Sequence, residues 1–297
     1  MRKLSVKRIL VPIDFSGVSL AALDQAVFMA RLFKADLQLI HVIDIPPTVY
    51  AIENPMSPGF DISNIEKEIG KKMDTLSRSI RKSSGLEIKT LITRGKTSYE
   101  IVDYVKETEA DIVVMGTHGA SGFDEYFIGS NAHKVTTLCP CPVISVRKKA
   151  KKAGYSNILL PIDNSLHSRE KVNMVMVLAK KFGSVIHILG LPEDNEPLHM
   201  KQFRIKLNSV ESIIKKAGLA CTLKVAKKGN IAELAMKHAG TVKADLIAIM
   251  TDHESQYGIF KGPFAKQIVN HSRIPVMSIH STEGKFEDMD YGATGPF

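Results

Sequence analysis

The sequence predicts an α/β protein built as two tandem doubly wound domains, each a five-stranded parallel sheet with helices on both faces. Three observations predict it. The chain has 297 residues, 44% of them hydrophobic, which exceeds the usual size of one domain and suffices for two ordinary cores. Short apolar runs alternate with segments whose apolar residues recur at helical spacing, a pattern that calls for parallel strands joined by right-handed helical crossovers. The chain also repeats itself. Lys7-Arg8-Ile9-Leu10-Val11-Pro12-Ile13-Asp14 returns 149 residues later as Ser156-Asn157-Ile158-Leu159-Leu160-Pro161-Ile162-Asp163. Ala110 to Met115 matches Ala244 to Ile249 at a separation of 134, and Cys141 to Val146 matches Ile274 to Ile279 at 133. Preserved order with a shrinking offset is the mark of a duplication whose second copy carries deletions in its middle.

In the first copy, Ile9 to Ile13 reads as a strand and Leu20 to Phe33 as a helix, with Ser19 as its cap. Leu37 to Ile43 is the second strand. Pro46 to Gly59, rich in Pro, Asn and Ser, reads as a long loop before a helix from about Ile62 to Ser83 with a charged outer face. Leu86 to Thr93 is the third strand, Ser98 to Thr108 a helix and Asp111 to Met115 the fourth strand. A glycine-punctuated loop then leads into a helix that starts at Asn131, and Pro142 to Val146 closes the copy as strand five. The second copy follows the same order: Ile158 to Ile162, a helix from Val172 to Phe182, Val185 to Leu189, a helix around Lys201 to Lys216, Thr222 to Ala226, a helix near Ile231 to Ala239, and Asp245 to Met250. The expected organisation is a first domain at 1–147, a basic linker at 148–155, a second domain at 156–280 and a tail at 281–297. The tail has little to pack and is expected to be mobile unless a partner holds it.

The net charge of +9 raises nucleic acid or an anionic membrane as partners. Both signs are spread through each half, however, and the one dense run, Arg147-Lys148-Lys149-Ala150-Lys151-Lys152, falls between them with no aromatic residue interleaved. A solvated linker is favoured, and no specific nucleic-acid partner is expected. No run approaches the roughly 20 apolar residues that span a bilayer. The basic start is followed by an apolar stretch broken at Pro12 and Asp14, so the stretch is not expected to serve as the h-region of a signal peptide. Three cysteines make no disulfide framework, and Cys139 and Cys141 in Cys-Pro-Cys-Pro are too few for zinc and read as a turn. A cytoplasmic location is expected.

The most informative stretch is the loop after strand four. Gly116, Gly119 and Gly129 let backbone N–H groups approach an anion, and Ser130 adds a hydroxyl where the following helix carries its positive end. Such loops also serve as plain turns. Asp14 follows strand one, so it and the loop converge on the crevice beyond the carboxyl ends of the strands, although an Asp there often caps a helix or closes a turn. His118, and Tyr126 with Phe127, read as an exposed loop histidine and as lid or core contacts.

The spacing Gly-x2-Gly-x9-Gly-Ser, with both Ile-Leu-x-Pro-Ile-Asp openings and both Pro-Val-x-Ser endings, resembles the tandem type of the universal stress protein family, and in the first half its ATP-binding branch. The resemblance implies a flavodoxin-like, adenine-nucleotide-hydrolase-like fold in each half, with the two copies contacting through their last strands as an intramolecular pseudo-dimer. It also implies ATP as ligand, with or without Mg2+. Its site falls on Pro12, Asp14 near the adenosine, Val42 whose backbone would meet the adenine, and Met115, Gly116, Gly119, Gly129, Ser130 and Asn131 around ribose and phosphates.

The second copy departs from the motif. Met250-Thr251-Asp252-His253 stands for Gly116-Thr117-His118-Gly119, and Gly262-Pro263 for Gly129-Ser130. Side chains crowd the backbone, Pro263 removes a donor, and Asp252 would repel phosphate, so no tight ATP binding is expected there, though the retained Asp163 leaves room for an adenosine-sized pocket. No catalytic or metal-binding residue is assigned, since the loop lacks the Lys-Ser/Thr pair that phosphoryl transfer commonly uses. The leading expectation is an ATP-binding regulatory protein of the stress response, in which nucleotide orders loop 117–128 for an unidentified protein partner. A slow ATP hydrolase or phosphotransferase and a nucleotide-independent interaction scaffold are the alternatives. Monomer and homodimer are both compatible with the sequence.

Overall fold

The structure, a computed structural model, describes residues 5–44, 62–117, 128–147, 154–164, 170–227, 229–251 and 263–280. The loop at Pro46 to Gly59, most of the basic linker, the central part of the glycine loop with His118, Gly119, Tyr126 and Phe127, and the tail lie outside these residues. The first half runs β1 (Arg8–Pro12), α1 (Gly17–Phe33), β2 (Asp36–Ile43), α2 (Ile62–Ser84), β3 (Ile88–Arg94), α3 (Thr97–Thr108), β4 (Ile112–Gly116), α4 (Ser130–Leu138) and β5 (Val143–Val146). The second runs β6 (Asn157–Ile162), α5 (Glu170–Phe182), β7 (Val185–Gly190), α6 (Pro197–Lys216), β8 (Cys221–Val225), α7 (Ile231–Thr241), β9 (Leu246–Met250), α8 (Pro263–His271) and β10 (Val276–Ile279). The expected strands and helices are present, with ends shifted by a few residues. The first helix begins three residues before Leu20, and its cap is Ser16 rather than Ser19. Ser16 has extended backbone, and its Oγ accepts the Ser19 N–H at 3.1 Å. Ser19 lies inside the first turn, buried, with its own hydroxyl donating to the Ser16 carbonyl.

All ten strands form one sheet in the order β3-β2-β1-β4-β5-β10-β9-β6-β7-β8. Within each half the pairs are parallel, and at the seam β10 lies antiparallel to β5, with Met277 opposite Ile144. The last strands of the two copies therefore meet, as the resemblance implies, and neither is left as an open edge. Successive side chains of a strand point to opposite faces. Ile9 and Val11 of β1 accordingly join α1 and α2 on one face, while Leu10 joins α3 and α4 on the other. The first face is a single core running through both halves, since it continues into Ile158, Leu178, Phe203 and Leu207. The second face carries two separate cores, one beneath α3 and α4 and one beneath α7 and α8, and Ile128 packs against both.

The two halves are also joined across the seam by polar contacts that follow the repeat. Arg147, just after β5, donates from its guanidinium to the Val269 and Asn270 carbonyls at the end of α8. His280 follows β10 at the equivalent position, and its Nε2 lies 2.6 Å from the carbonyl of Thr136, the residue in α4 that corresponds to Val269. On the opposite face, Phe28 and Phe33 of α1 meet Phe182 of α5 at ring distances of 6.1 and 6.0 Å, and Tyr155 packs on Phe182 at 5.1 Å. Cys139 and Cys141 are buried free thiols in the turn before β5.

A matched pair of carboxylates sets the start of each sheet half. Asp111 Oδ2 accepts the N–H groups of Lys7 and Arg8 at 2.7 and 2.9 Å, and Asp245 accepts those of Ser156 and Asn157 at 2.7 and 3.0 Å. Each carboxylate ties the entry of β1 or β6 to the entry of β4 or β9. This explains why Ala-Asp is repeated before the fourth strand of both copies. Asp111→Ala and Asp245→Ala should each lower the unfolding free energy by about 1–3 kcal/mol, because two backbone donors lose their acceptor. Urea unfolding checks this, and the two losses should add, since the carboxylates share no partner.

Candidate functional site

A cleft of about 220 Å³ opens beyond the carboxyl ends of β1 and β4. These are the strands between which the chain order reverses, where doubly wound sheets place their ligands. Pro12, Ile13 and Asp14 enter it from the end of β1, Ile40 and Val42 from β2, and Met115, Gly116 and Thr117 from the end of β4. Gly129, Ser130, Asn131 and Ala132 line it from the start of α4, and Thr97 and Ile101 from α3. Eight of the residues picked from the sequence, Pro12, Asp14, Val42, Met115, Gly116, Gly129, Ser130 and Asn131, thus border one cleft. Gly119 falls within 118–127, outside the described residues.

Local chemistry fixes the walls. Asp14 is exposed to the cleft side of the β1 turn, and its Oδ1 accepts the Ser16 N–H at 2.9 Å. The Asp closes a turn while Ser16 caps the helix, so the turn-forming role that its sequence position suggests is filled without removing the carboxylate from the lining. Phe15 beside it has left-handed backbone (φ 63°), and its ring lies 5.3 Å from that of His41, whose Nδ1 is 2.6 Å from the Ile13 carbonyl. The base of the glycine loop is closed by two backbone bonds. Thr117 donates its N–H to Val146 at 3.0 Å, and its carbonyl accepts the Gly129 N–H at 2.7 Å.

Gly129 is the N-cap of α4, and as a glycine it offers no side chain to cap that helix end. The first-turn N–H groups at Ser130 and Asn131 therefore face the cleft without a side-chain acceptor from the cap, at the positive end of the helix dipole. The α3 terminus at Lys96 also lacks a side-chain cap. Ile13, Ile40, Val42, Ile101 and Met115 supply apolar wall. The arrangement suits a ligand with a flat apolar part and an anionic part. Among the described lining residues Asp14 is the single carboxylate, and no cluster of three or more His, Cys, Asp or Glu side chains suited to a metal ion occurs among the described residues.

Gly116 has a second reason to be glycine. A Cβ there would sit 2.9 Å from Val18 Cγ1 and 3.1 Å from the Ser19 nitrogen and the Val18 carbonyl carbon. The residue lets β4 pass close under the first turn of α1, as well as lining the cleft. Ser19, Thr97, Ile101 and Thr117 are lining residues that sequence reasoning missed. Thr117 lies inside the glycine motif and was passed over there, while Ser19, Thr97 and Ile101 carry no motif, and their available signal was position alone, within the first two turns of a helix on the crevice side.

The second half presents a different surface. Asp163, the counterpart of Asp14, is fully buried, and Phe264 occupies the place of Asn131 with its side chain buried in the core under α7 and α8. Met250, at the end of β9, and Leu191, just after β7, are buried too. Asp163 is thus not presented to a ligand as Asp14 is. A separate hollow of about 330 Å³ lies nearer α6, lined by Asn164, Glu193, Asp194, His199, Gln202, Phe203 and Lys206. Lys206 Nζ donates to the Asp163 carbonyl at 2.8 Å, and the Asp194 carboxylate 2.8 Å from His199 Nδ1 raises the imidazole pKa. None of the sequence-derived site residues lies there. No helix among the described residues is long and apolar enough to cross a membrane.

Comparison with known proteins agrees with the duplication. The model of the universal stress protein family matches residues 5–147 and again 154–280. The chain is 33% identical over 147 residues to universal stress protein MJ0531 of Methanocaldococcus jannaschii, a match covering 49% of this chain and 85% of that protein. It is 32% identical over 148 residues to universal stress protein YxiE of Bacillus subtilis, covering 47% of this chain and 98% of that protein. A crystal structure of a universal stress protein from Archaeoglobus fulgidus aligns over 92% of this chain and 98% of its own, with a TM-score of 0.74 at 16% identity, a likeness of fold.

Gly116→Ala should destabilise the fold by about 1–3 kcal/mol through overpacking against α1, with or without a ligand. Thermal unfolding in plain buffer checks it; a melting temperature equal to that of the wild type would remove the structural role given to this glycine.

Proposed function

Because this chain belongs to the universal stress protein family, we propose that it is an ATP-binding regulatory protein of the stress response, with one nucleotide site in its first half. The observation that carries the proposal is the convergence of Asp14, Val42, Gly116, Gly129 and Ser130 on one cleft beside the uncapped start of α4. In this reading the adenine lies against Ile40, Val42 and Ile101 and meets the Val42 backbone. Asp14 accepts from the ribose hydroxyls. The phosphates lie along Gly116, Gly119, Gly129, Ser130 and Asn131, where backbone N–H groups and the helix dipole offset their charge. Magnesium, where present, accompanies the phosphates.

Binding is favoured over rapid turnover. Phosphoryl transfer relies on cations at the γ-phosphate and a positioned nucleophile, whereas the described lining supplies backbone N–H groups, hydroxyls and one carboxylate. Occupancy of the cleft then sets the surface that loop 117–128 offers to a protein partner, a switch by differential contact. The free thiols fit a reducing, cytoplasmic setting. The second half, with Asp163 and Phe264 buried, supports the reading of one site per chain.

The test uses a substitution that the fold tolerates and the ligand does not. Ser130 is exposed in the first turn of α4, so Ser130→Glu places a carboxylate where helix dipoles favour it and where phosphates would be repelled. The variant should melt at or above the wild-type temperature yet bind ATP at least about tenfold more weakly, a cost of about 1.4 kcal/mol, by calorimetric titration. Nucleotide released from denatured wild-type protein should be adenine nucleotide, at one equivalent per chain. Neither released nucleotide nor binding heat from the wild type, with and without magnesium, would sink the proposal.

A further inference from the structure

We propose that the second half of the chain serves as the support of the first half's cleft, and that Asn270 on α8 is a positioning residue for the glycine loop. The inference rests on the nucleotide reading above for its ligand and on independent geometry for its contact. Asn270 is 5% exposed, and its Oδ1 accepts the backbone N–H of Ile128 at 2.9 Å across the seam. Ile128 is the last loop residue before Gly129, whose own N–H is held by Thr117. Two consecutive backbone donors at the loop exit are therefore pinned, one from each half of the molecule, directly before the N–H groups of Ser130 and Asn131 that line the cleft.

Packing reinforces the contact. The Ile128 side chain lies against the core of α3 and α4 and against that of α7 and α8, so the residue at the loop exit also bridges the two cores on this face. Asn270 is itself fixed, because Arg147 donates to its carbonyl and to that of Val269. The first half thus grips the end of α8, and α8 grips the exit of the first half's loop.

Among the described residues the brace is seen in one direction, although the fold is duplicated. Thr137 occupies the position in α4 that Asn270 holds in α8, and its hydroxyl donates to His133 in its own helix at 2.8 Å. Among the described residues, the side chain that braces a loop exit from across the seam belongs to the half with the buried, altered site and acts on the half with the open cleft. A buried donor that loses its acceptor must find water or move. Loss of Asn270 Oδ1 should let Ile128 shift and misplace the first turn of α4 relative to Asp14 and Gly116.

The experiment compares full-length wild type with Asn270→Ala, Asn270→Leu, Asn270→Asp and Thr137→Ala. Leu nearly preserves the shape of Asn without an acceptor, so a folded protein lacking the bond is available even where the smaller residue fails. ATP affinity is measured by calorimetry, and hydrogen exchange of the segment 128–132 is followed in the absence of nucleotide. The proposal expects the Ala or Leu variant to bind ATP about tenfold more weakly and to exchange faster at 128–132. Asp, which keeps the acceptor oxygen, should restore affinity, and Thr137→Ala should leave it unchanged. Wild-type affinity and exchange in the folded Ala or Leu variant would overturn the proposal and leave the nucleotide reading standing, as would an equal loss in Thr137→Ala. Failure of the wild type to bind ATP would instead be a failure of the nucleotide reading, and the ligand role of Asn270 would fall with it.

Discussion

The antiparallel pairing of β5 with β10 is the constraint on which the rest of this molecule depends. Each half ends on a short strand, Val143–Val146 or Val276–Ile279, that would otherwise expose a row of unpaired N–H and C=O groups. Among the described residues, pairing the two strands makes one ten-stranded sheet with β3 and β8 as its edges. It also brings α1 beside α5 on one face, where the aromatic contacts of Phe28, Phe33 and Phe182 form, and brings α4 and α8 within reach of Arg147 and His280 on the other. The contacts of Arg147 and His280 are repeat-related because the pairing imposes an approximate two-fold relation on two similar copies.

The cleft follows from topology before it follows from any residue. Parallel strands deliver their carboxyl ends, and the helices that follow them deliver their amino ends, to one side of the sheet. At the reversal between β1 and β4 this leaves a gap, and the residues filling its rim are turn residues with exposed backbone donors. Small residues keep the gap open, with Gly116 admitting the first turn of α1 and Gly129 leaving the α4 terminus uncapped. The second half has the same topology and a different rim. Phe264 stands in place of Asn131 and Met250 in place of Gly116, both with buried side chains, and Asp163 is buried where Asp14 is exposed. Duplication has preserved the scaffold twice and the accessible cleft in the first half.

Much of this was legible in the sequence because it depends on local patterns. Strand and helix identities followed from apolar periodicity, and the repeated Ile-Leu-x-Pro-Ile-Asp and Pro-Val-x-Ser segments marked both copies. Asp14, Gly116, Gly129 and Ser130 stood out because turns and anion-facing helix starts need particular residue types. Helix ends were less legible. Ser16 and Ser19 are both sound caps by type, and the choice of Ser16 followed from the turn that Asp14 closes two residues upstream. Thr97 and Ile101 carried no signal, since nothing in their neighbourhood distinguishes a cleft wall from any other stretch of helix, whereas Thr117 stood within the glycine motif and was passed over because its own side chain has no assigned role there.

The sequence by itself determined the doubling of an α/β fold, through periodicity and repeat, and it picked out Asp14 and the glycines of the loop by residue type, while the resemblance to the family supplied Pro12, Val42, Met115 and Asn131. The tertiary structure alone decided how the halves act on each other. The antiparallel seam, the grip of Arg147 on α8, the reach of Asn270 to Ile128 and the bond from Lys206 to the carbonyl of the buried Asp163 join residues far apart in the chain. Their partners are chosen by where whole strands and helices come to rest, and no local spacing encodes that.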